Sequence, residues 1–129
     1  MNLASIALKL YAPKAWAFEE STKNPRKAQE TVLFNYLERN KNTQYGKKYL
    51  FSSIKTIDDY QRHVPLADCE TMRGWVDRLA RGEKNILTSD EPIFFGATSG
   101  TTSIPKLIPT TRFSEKINSE LIDIWSYYI

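Results

Sequence analysis

The sequence predicts a mostly helical α/β protein in which one short strand–loop–strand segment interrupts the helices. Apolar residues recur at steps of three and four in several segments, which is typical of amphipathic helices. One short apolar run, Ile93–Ala97, is flanked by polar turn residues and suits a buried strand better than a helix. The 129 residues, of which 41% are hydrophobic and 26% charged, are enough for one packed domain, so we expect no internal domain boundary.

The N-terminal part of the chain predicts two helices and a turn. The apolar residues of the first segment lie on one helical face: Leu3, Ile6, Ala7 and Leu10. Pro13 is expected to end or kink this helix. The polar segment Ser21–Lys27 then leads into a second helix over about residues 26–39. Gly46 is expected to form a turn within residues 45–49, because a residue without a side chain can adopt positive φ.

Capping residues divide the middle of the chain. Thr56, with Asp59 three residues later, predicts the start of a short helix that Pro65 limits. Asp68 is placed to cap a further helix with apolar residues at steps of three and four, and Gly82 is expected to end it.

The last segment has the clearest helical pattern. Apolar residues follow one another at steps of four: Phe113, Ile117, Leu121 and Trp125. Before them, "KLIPTT" predicts a second short strand with prolines at its borders. The helix stays strongly apolar up to Ile129, so either the earlier helices cover its face or the chain is the front portion of a longer protein. We expect the second, because a sheet-based fold normally has more strands than two.

The segment between the two predicted strands, Thr98–Lys106, is rich in hydroxyl groups. A phosphate-binding loop needs converging backbone N–H groups, small side chains, and hydroxyls or a cation. Gly100 gives backbone freedom and Lys106 gives a positive charge. The hydroxyl donors are Thr98, Ser99, Thr101, Thr102 and Ser103. The pattern is neither a Walker A loop nor a dinucleotide fingerprint, and by composition alone an ordinary polar turn is the commoner explanation.

"TSGTTSIPK" resembles the phosphate loop of the adenylate-forming superfamily, which includes acyl-CoA synthetases, luciferases and peptide-synthetase adenylation domains. The flanking blocks indicate a branch of that superfamily. In order, "NTQYGKKYLFSSIKTIDDYQRHVPLADCE", "RGEKNILT" and "FFGATSGTTSIPKLIPTT" resemble the acyl-acid amido synthetase family first named for auxin-responsive plant genes, particularly its bacterial members. The resemblance spans roughly residues 31–111, and its ordered blocks make it more specific than the loop alone.

The resemblance implies the N-terminal fragment of an adenylate-forming enzyme fold, with the phosphate loop between its two short strands. Such a ligase uses ATP and Mg²⁺ to convert a carboxylic acid to an acyl-adenylate, then transfers the acyl group to an amine, typically of an amino acid. The residues that match the family's loop are expected at the ATP phosphates: Ser99, Gly100, Thr101 and Thr102. Further candidates for contact with ATP are Thr98, Ser103 and Lys106.

The chain departs from the family pattern in two residues and in length. Ser103 stands where the superfamily usually has a second glycine, and Cys69 stands where this family often has an aromatic residue. The family's proteins are several times longer, so residues 1–129 correspond to an incomplete N-terminal part of the large domain. The parts that bind adenine and ribose, ligate the metal and hold the acyl acid would lie beyond Ile129. We therefore expect no catalytic residue and no metal ligand in this chain, and no complete reaction by the chain alone.

Two functional hypotheses follow. The first is the N-terminal segment of the ligase, with the remainder of the enzyme covering the last helix. The alternative is a truncated, non-catalytic helical interaction module that uses the same face to bind a partner.

The other distinctive residues favour structural roles. Core packing is expected for the three tryptophans: Trp16, Trp75 and Trp125. His63, the one histidine, is expected to be structural, and Cys69 has no histidine in an obvious partner position. A net charge of +3 without a dense basic stripe does not favour nucleic acid. One cysteine and no run of about 18 apolar residues make the cytoplasm the default location.

Overall fold

A computed structural model describes residues 3–98 and 105–129 and confirms a mostly helical chain with one pair of short strands. The elements in chain order are helices α1 (Leu3–Thr22), α2 (Pro25–Asn40) and α3 (Gln44–Lys48), a 3₁₀ turn (Phe51–Ser53), helices α4 (Ile57–His63) and α5 (Cys69–Ala80), strands β1 (Pro92–Thr98) and β2 (Lys106–Thr111), and helix α6 (Arg112–Tyr128). They divide into two compact units. The terminal unit comprises Met1–Thr31 and Phe113–Ile129, and the central unit comprises Val32–Arg112.

In the terminal unit, α1 and α6 are joined by two polar contacts. The Lys14 ammonium lies 2.5 Å from the Asp123 carboxylate, and the Tyr128 hydroxyl donates to the Glu19 carboxylate at 2.6 Å. From the first contact to the second, the residue number rises equally in both helices, from Lys14 to Glu19 in α1 and from Asp123 to Tyr128 in α6. The two helices therefore run in the same direction. Hydrogen bonding to Glu19 raises the pKa of Tyr128 to about 12, because a phenolate could not donate this hydrogen bond.

The predicted end of the first helix at Pro13 is wrong, since α1 continues to Thr22. Proline removes the hydrogen bond that residue 13 would donate to the carbonyl of Lys9, and this costs a helix interior about 3 kcal/mol. Ala12 and Ala15, on either side of the proline, are both buried. Packing on both sides of Pro13 therefore maintains the helix, and spacing alone does not reveal this packing.

The corner between α2 and α3 is a polar cluster centred on the half-buried Asn40. Its carbonyl oxygen accepts from the Thr43 backbone N–H at 3.1 Å and from the Thr43 hydroxyl at 2.8 Å. Thr43 is fully buried and caps α3, because its hydroxyl oxygen also accepts from the Gly46 N–H at 2.9 Å. The Asn40 side chain donates to the Tyr36 carbonyl and accepts from the Ser89 N–H. Asn40 thus ties α2 to α3 and to the segment before β1.

The predicted positive-φ turn at Gly46 is wrong. Gly46 lies inside α3, and among the described glycines it is Gly82 that has a positive φ. An added Cβ at Gly46 would overlap the Asn40 carbonyl oxygen and would lie 3.1 Å from Lys41 Cα. The glycine is therefore required by a close backbone approach and not by its own dihedral angle.

The predicted caps of α4 and α5 are confirmed. Thr56 and Asp59 exchange hydrogen bonds of 3.0 Å between side chain and backbone in both directions, which is a complete capping box. Hydrogen bonds from the Thr56 side chain, the Lys55 N–H and the Arg62 guanidinium lower the pKa of Asp59 to about 2. Asp68 caps α5 by accepting from the backbone N–H of its third residue, and Gly82, with φ of 87°, follows its end.

Helices α3 and α5 pack through aromatic rings. The ring of Tyr45 lies edge-on to Trp75, with centroids 5.3 Å apart, and also contacts Tyr49 and Phe51. The segment after α5 closes this cluster, because the carbonyls of residues 85 and 86 accept from the N–H groups of Gln44 and Tyr45. Ile86 is fully buried there. The aromatic cluster and these backbone hydrogen bonds form the centre of the central unit.

The tryptophan prediction holds for one residue of three. Trp75 is half-buried in the aromatic cluster, as expected. Trp16 and Trp125 are 59% and 68% exposed, so their predicted core positions are wrong for this chain. Their helices have apolar faces, but helical spacing identifies a face without identifying what covers it.

Strands β1 and β2 form an antiparallel pair with Phe95 opposite Pro109, and α5 packs against β2. The register shifts between Pro92 and Phe94, where β1 carries a bulge. Over the part of the chain that the structure describes, no helix has the length and hydropathy needed to cross a membrane.

Candidate functional site

The candidate site begins where the two strands end. Thr98, the last residue of β1, is opposite Lys106, the first residue of β2. Both residues are exposed, so a hydroxyl and an ammonium group lie side by side at the open end of the strand pair. The other predicted site residues lie outside the described residues: Ser99, Gly100, Thr101, Thr102 and Ser103. The structure thus brings together the first and last members of the predicted set and leaves the middle of the loop as a prediction.

The local sequence explains why the strands stop at this point. β1 is mainly apolar up to Ala97, and the residues that follow it in the sequence are polar and small. Pro105, immediately before β2, cannot donate a ladder hydrogen bond, so it marks a natural border of the pairing. The described strands therefore end at Thr98 and begin again at Lys106, the two residues that border the predicted loop.

Charged side chains of both signs lie near this end, because Lys106 and Asp77 both line it. Lys106 forms no ion pair with a carboxylate of the residues described here. Arg73 on α5 lies beside the same region and is paired with Glu70 at 2.6 Å. An exposed ammonium next to a hydroxyl can contact phosphate oxygens, so the donors present fit a polyphosphate.

A groove opens between α5 and β2, directly beside Thr98 and Lys106. Its volume is about 400 Å³. Its walls are mainly apolar, with Met72 and Val76 from α5 and Leu107 and Ile108 from β2. We call this feature the α5–β2 groove.

This groove was not predicted from the sequence. Its α5 wall uses residues at helical steps of three and four: Cys69, Met72, Arg73, Val76 and Asp77. Met72 and Val76 share a helical face with the buried Leu79, and Arg73 and Asp77 extend the wall away from it. Helical spacing indicates this apolar face of α5, but its partner, β2, is known from the structure alone.

The two other candidate residues are His63 and Cys69. His63 is half-buried, and its Nδ1 lies 2.8 Å from the Asp59 carbonyl oxygen, as a structural role requires. Cys69 is an exposed free thiol on the rim of the α5–β2 groove. Within residues 3–98 and 105–129, no three His, Cys, Asp or Glu side chains come together as a metal site.

Comparison with known proteins gives consistent matches. The model of the GH3 family N-terminal domain matches residues 15–129. The indole-3-acetic acid-amido synthetase GH3.15 of Arabidopsis thaliana is 37% identical over 95 residues, which are 72% of this chain and 16% of that protein. The indole-3-acetic acid-amido synthetase GH3.4 of the same plant is 34% identical over 102 residues, or 78% of this chain and 17% of that protein.

A solved structure resembles the whole described chain. It is the AtGH3.15 acyl acid amido synthetase in complex with 2,4-DB, with a TM-score of 0.78 and 25% sequence identity. The match covers 96% of this chain and 21% of that chain. The chain therefore has the fold of a fragment of a GH3 enzyme, and it spans about a sixth of the length of the curated relatives it matches.

Proposed function

The chain belongs to the GH3 family, and on this premise we propose that it is the N-terminal segment of an ATP-dependent acyl-acid amido synthetase. The full reaction adenylates a carboxylic acid, releases pyrophosphate and transfers the acyl group to an amine or amino acid. The observation that carries the proposal is the family match over residues 15–129, which includes the whole strand–loop–strand segment.

The chemistry assigned to this segment is the handling of phosphate charge. A carboxylate oxygen is a poor leaving group, and AMP is a much better one, so attack on the α-phosphorus requires the neighbouring phosphates to be held and their charge spread. In the proposal, the ATP phosphates contact the loop residues Ser99, Gly100, Thr101 and Thr102. Thr98, Ser103 and Lys106 complete the contacts, with Lys106 as the cation.

The rest of the site comes from outside this segment. Mg²⁺ enters as the partner of ATP, and its ligands, the acyl acid pocket and the acceptor amine belong to the remainder of the enzyme. That remainder also covers α6, where Leu121, Ile122 and Trp125 are exposed. The proposed location is the cytoplasm, where ATP is available. The segment on its own is proposed to be inactive.

The first test is ATP binding. Isothermal titration calorimetry with ATP and Mg²⁺ should give a weak but saturable signal for this chain. Replacing Thr101 and Thr102 together with alanine should weaken binding by about tenfold or more, since two hydroxyl donors to phosphate are lost. Ser126→Ala is the matched control, because it removes an exposed hydroxyl on α6. Equal affinity for the double variant and the control would refute the loop assignment.

The second test is catalysis in a chimera. This chain would replace the matched segment of the Arabidopsis GH3.15 protein, and ATP–pyrophosphate exchange would be measured with a panel of acids that includes indole-3-acetic acid. We expect acid-dependent exchange that the Thr101→Ala, Thr102→Ala pair removes. A folded chimera whose exchange survives that pair would contradict the assigned role.

The second candidate function is a non-catalytic helical interaction module derived from the family. Its supporting observation is the exposed apolar face of α6, on which Leu121 and Trp125 are 54% and 68% exposed. A chimera that folds without any exchange, together with no ATP signal for the chain, would favour this module over the ligase segment.

A further inference from the structure

The short segment that leads into strand β1, residues 88–90, is fastened to the end of helix α2. The Ser89 N–H donates to the side-chain oxygen of Asn40 at 3.0 Å. The Arg39 guanidinium donates to one oxygen of the Asp90 carboxylate, from Nε at 3.1 Å and from Nη2 at 2.6 Å. Two successive residues of α2 therefore hold two successive residues of the segment, which fixes both its position and its direction.

The contact between Arg39 and Asp90 has a defined geometry. Two donors of a planar guanidinium converge on one carboxylate oxygen, which orients the pair more closely than a single ammonium contact would. The Thr88 hydroxyl also donates to the Asp90 carbonyl at 2.7 Å, so the backbone at Asp90 is held as well as its side chain. The side chains of Arg39 and Asp90 are 40% and 33% exposed, so the pair adds little to the stability of the fold. Its main consequence is where β1 begins.

Strand β1 connects this ion pair to the candidate site. β1 begins at Pro92, two residues after Asp90, and ends at Thr98. It is paired along its length with β2, from Thr111 opposite Pro92 to Lys106 opposite Thr98, and α5 packs against β2. Groups carried by paired strands are held more precisely than groups on loops. A displacement at Asp90 would therefore be passed along the strand pair to Thr98 and Lys106.

We propose that Arg39 is a positioning residue for the phosphate contacts: by pairing with Asp90, it fixes the start of β1 and thereby the place of Thr98 beside Lys106. The inference deepens the proposed function and rests on it for its biological role, because Thr98 and Lys106 are the described members of the proposed ATP contacts. Arg39 itself contacts no phosphate in this proposal. Without the pair, a smaller fraction of molecules holds β1 in the binding position, and the apparent affinity for ATP falls by that fraction.

The first measurement is the affinity of folded variants of this chain for ATP and Mg²⁺, by calorimetry. Arg39→Ala should weaken ATP binding about two- to fivefold, the upper range for a partly exposed ion pair. Asp90→Ala should weaken it equally, and the double variant should weaken it no further, because all three remove the same contact. Exchange of the two charges, Arg39→Asp with Asp90→Arg, should restore most of the affinity. A charge-exchanged variant that binds ATP no better than Arg39→Ala would overturn the assigned pairing.

Arg26→Ala is the matched control on the same helix. Arg26 also forms an exposed ion pair, with Glu30 at 3.0 Å, but that pair lies wholly within α2. Urea unfolding should show a similar, small loss of stability for Arg26→Ala and Arg39→Ala, whereas Arg26→Ala should leave the affinity for ATP unchanged. A merely structural role of Arg39 predicts equal ATP affinity for the two variants, and that result would refute the positioning role.

A second measurement reports on β1 without ATP. The sequence has five glycines, so ¹⁵N-glycine labelling gives five backbone amide signals, and one of them comes from Gly96, which lies within β1 opposite Ile108. Arg39→Ala should shift the Gly96 signal, whereas the signal of Gly74 on α5 should not move. Arg26→Ala should shift neither signal. An unmoved Gly96 signal in Arg39→Ala would overturn the proposal.

The inference and the proposed function fail in different ways. No ATP signal for the parent chain would contradict the phosphate loop, while a shifted Gly96 signal would still support the effect of Arg39 on β1. An ATP signal for the parent chain that Arg39→Ala leaves unchanged would refute the role of Arg39 and leave the loop.

Discussion

Adding one methyl group at Gly46 should destabilise the protein strongly, although Gly46 lies in a helix where alanine is normally preferred. In α3, the new Cβ would overlap the carbonyl oxygen of Asn40. That oxygen cannot move freely, because it accepts two hydrogen bonds from Thr43, and the Asn40 side chain makes two more to Tyr36 and Ser89. Relief of the overlap therefore requires breaking part of the polar cluster around Asn40.

The size of the effect follows from three contributions. Alanine in place of glycine gains about 1 kcal/mol in a helix. Overpacking costs about 1–3 kcal/mol, and loss of the two hydrogen bonds to the Asn40 carbonyl costs about 1 kcal/mol each. The net destabilisation should be about 2–4 kcal/mol, a large part of the ~5–15 kcal/mol that stabilises a small domain.

Gly74→Ala is the matched control for this prediction. Gly74 also lies inside a helix, α5, but an added Cβ there contacts nothing within 4 Å. This variant should be more stable by about 0.5–1 kcal/mol, the helix preference alone. Urea unfolding followed by circular dichroism measures both variants against the parent chain. If Gly46→Ala proved as stable as Gly74→Ala, the close approach of Asn40 to Gly46 would not exist in solution.

Three further predictions concern caps and titrating groups. Asp68→Ala removes the cap of α5 and should cost about 1 kcal/mol in urea unfolding, whereas Asp68→Asn should cost less because its side-chain oxygen still accepts. The pKa of Asp59 is lowered from 3.8 to about 2, so the stability from its contact with Thr56 is present above pH 3.8 and is lost as pH falls through about 2. The loss of stability in acid should therefore become less steep in Asp59→Asn. An unchanged acid-unfolding profile would contradict this role. The pKa of Tyr128 is raised from 10.0 to about 12, so its contact with Glu19 stabilises the fold below pH 10 and is lost as pH rises through about 12. In an absorbance titration, Tyr128→Phe should remove the last phenol to ionise. Glu19→Gln should shift the ionisation of Tyr128 to lower pH.

Local signals were sufficient to predict most helix and strand positions. α2 was expected over about residues 26–39 and runs over Pro25–Asn40, and the caps at Thr56 and Asp68 lie where predicted. These features depend on residues within one turn of each other, so spacing and hydrogen-bonding capacity are enough to identify them.

Features that depend on distant residues were not predicted correctly. Pro13 was expected to end or kink α1, but the helix continues to Thr22, and the burial of the alanines near Pro13 was not visible in the sequence. Gly46 was assigned a turn, but its real constraint is the carbonyl of Asn40, which lies at the end of another helix. The α5–β2 groove likewise exists because a strand about thirty residues later packs beside α5.

The candidate site was predicted in part. The two strands that flank the loop have the expected positions, and their pairing brings Thr98 opposite Lys106. The roles of Ser99–Ser103 came from the resemblance of an ordered set of sequence blocks, because by composition alone an ordinary polar turn is the commoner explanation. These roles stay predictions until the ATP titration is done.

The composition of the two units has a consequence for synthesis on the ribosome. The central unit is one continuous stretch, Val32–Arg112, whereas the terminal unit needs both α1 and α6. Each polar contact between these helices joins residues 109 positions apart. During translation, α1 is made before α6, so the central unit can fold before the two helices of the terminal unit meet. We expect closure of the two ends to be the slow, chaperone-sensitive step in the maturation of this protein.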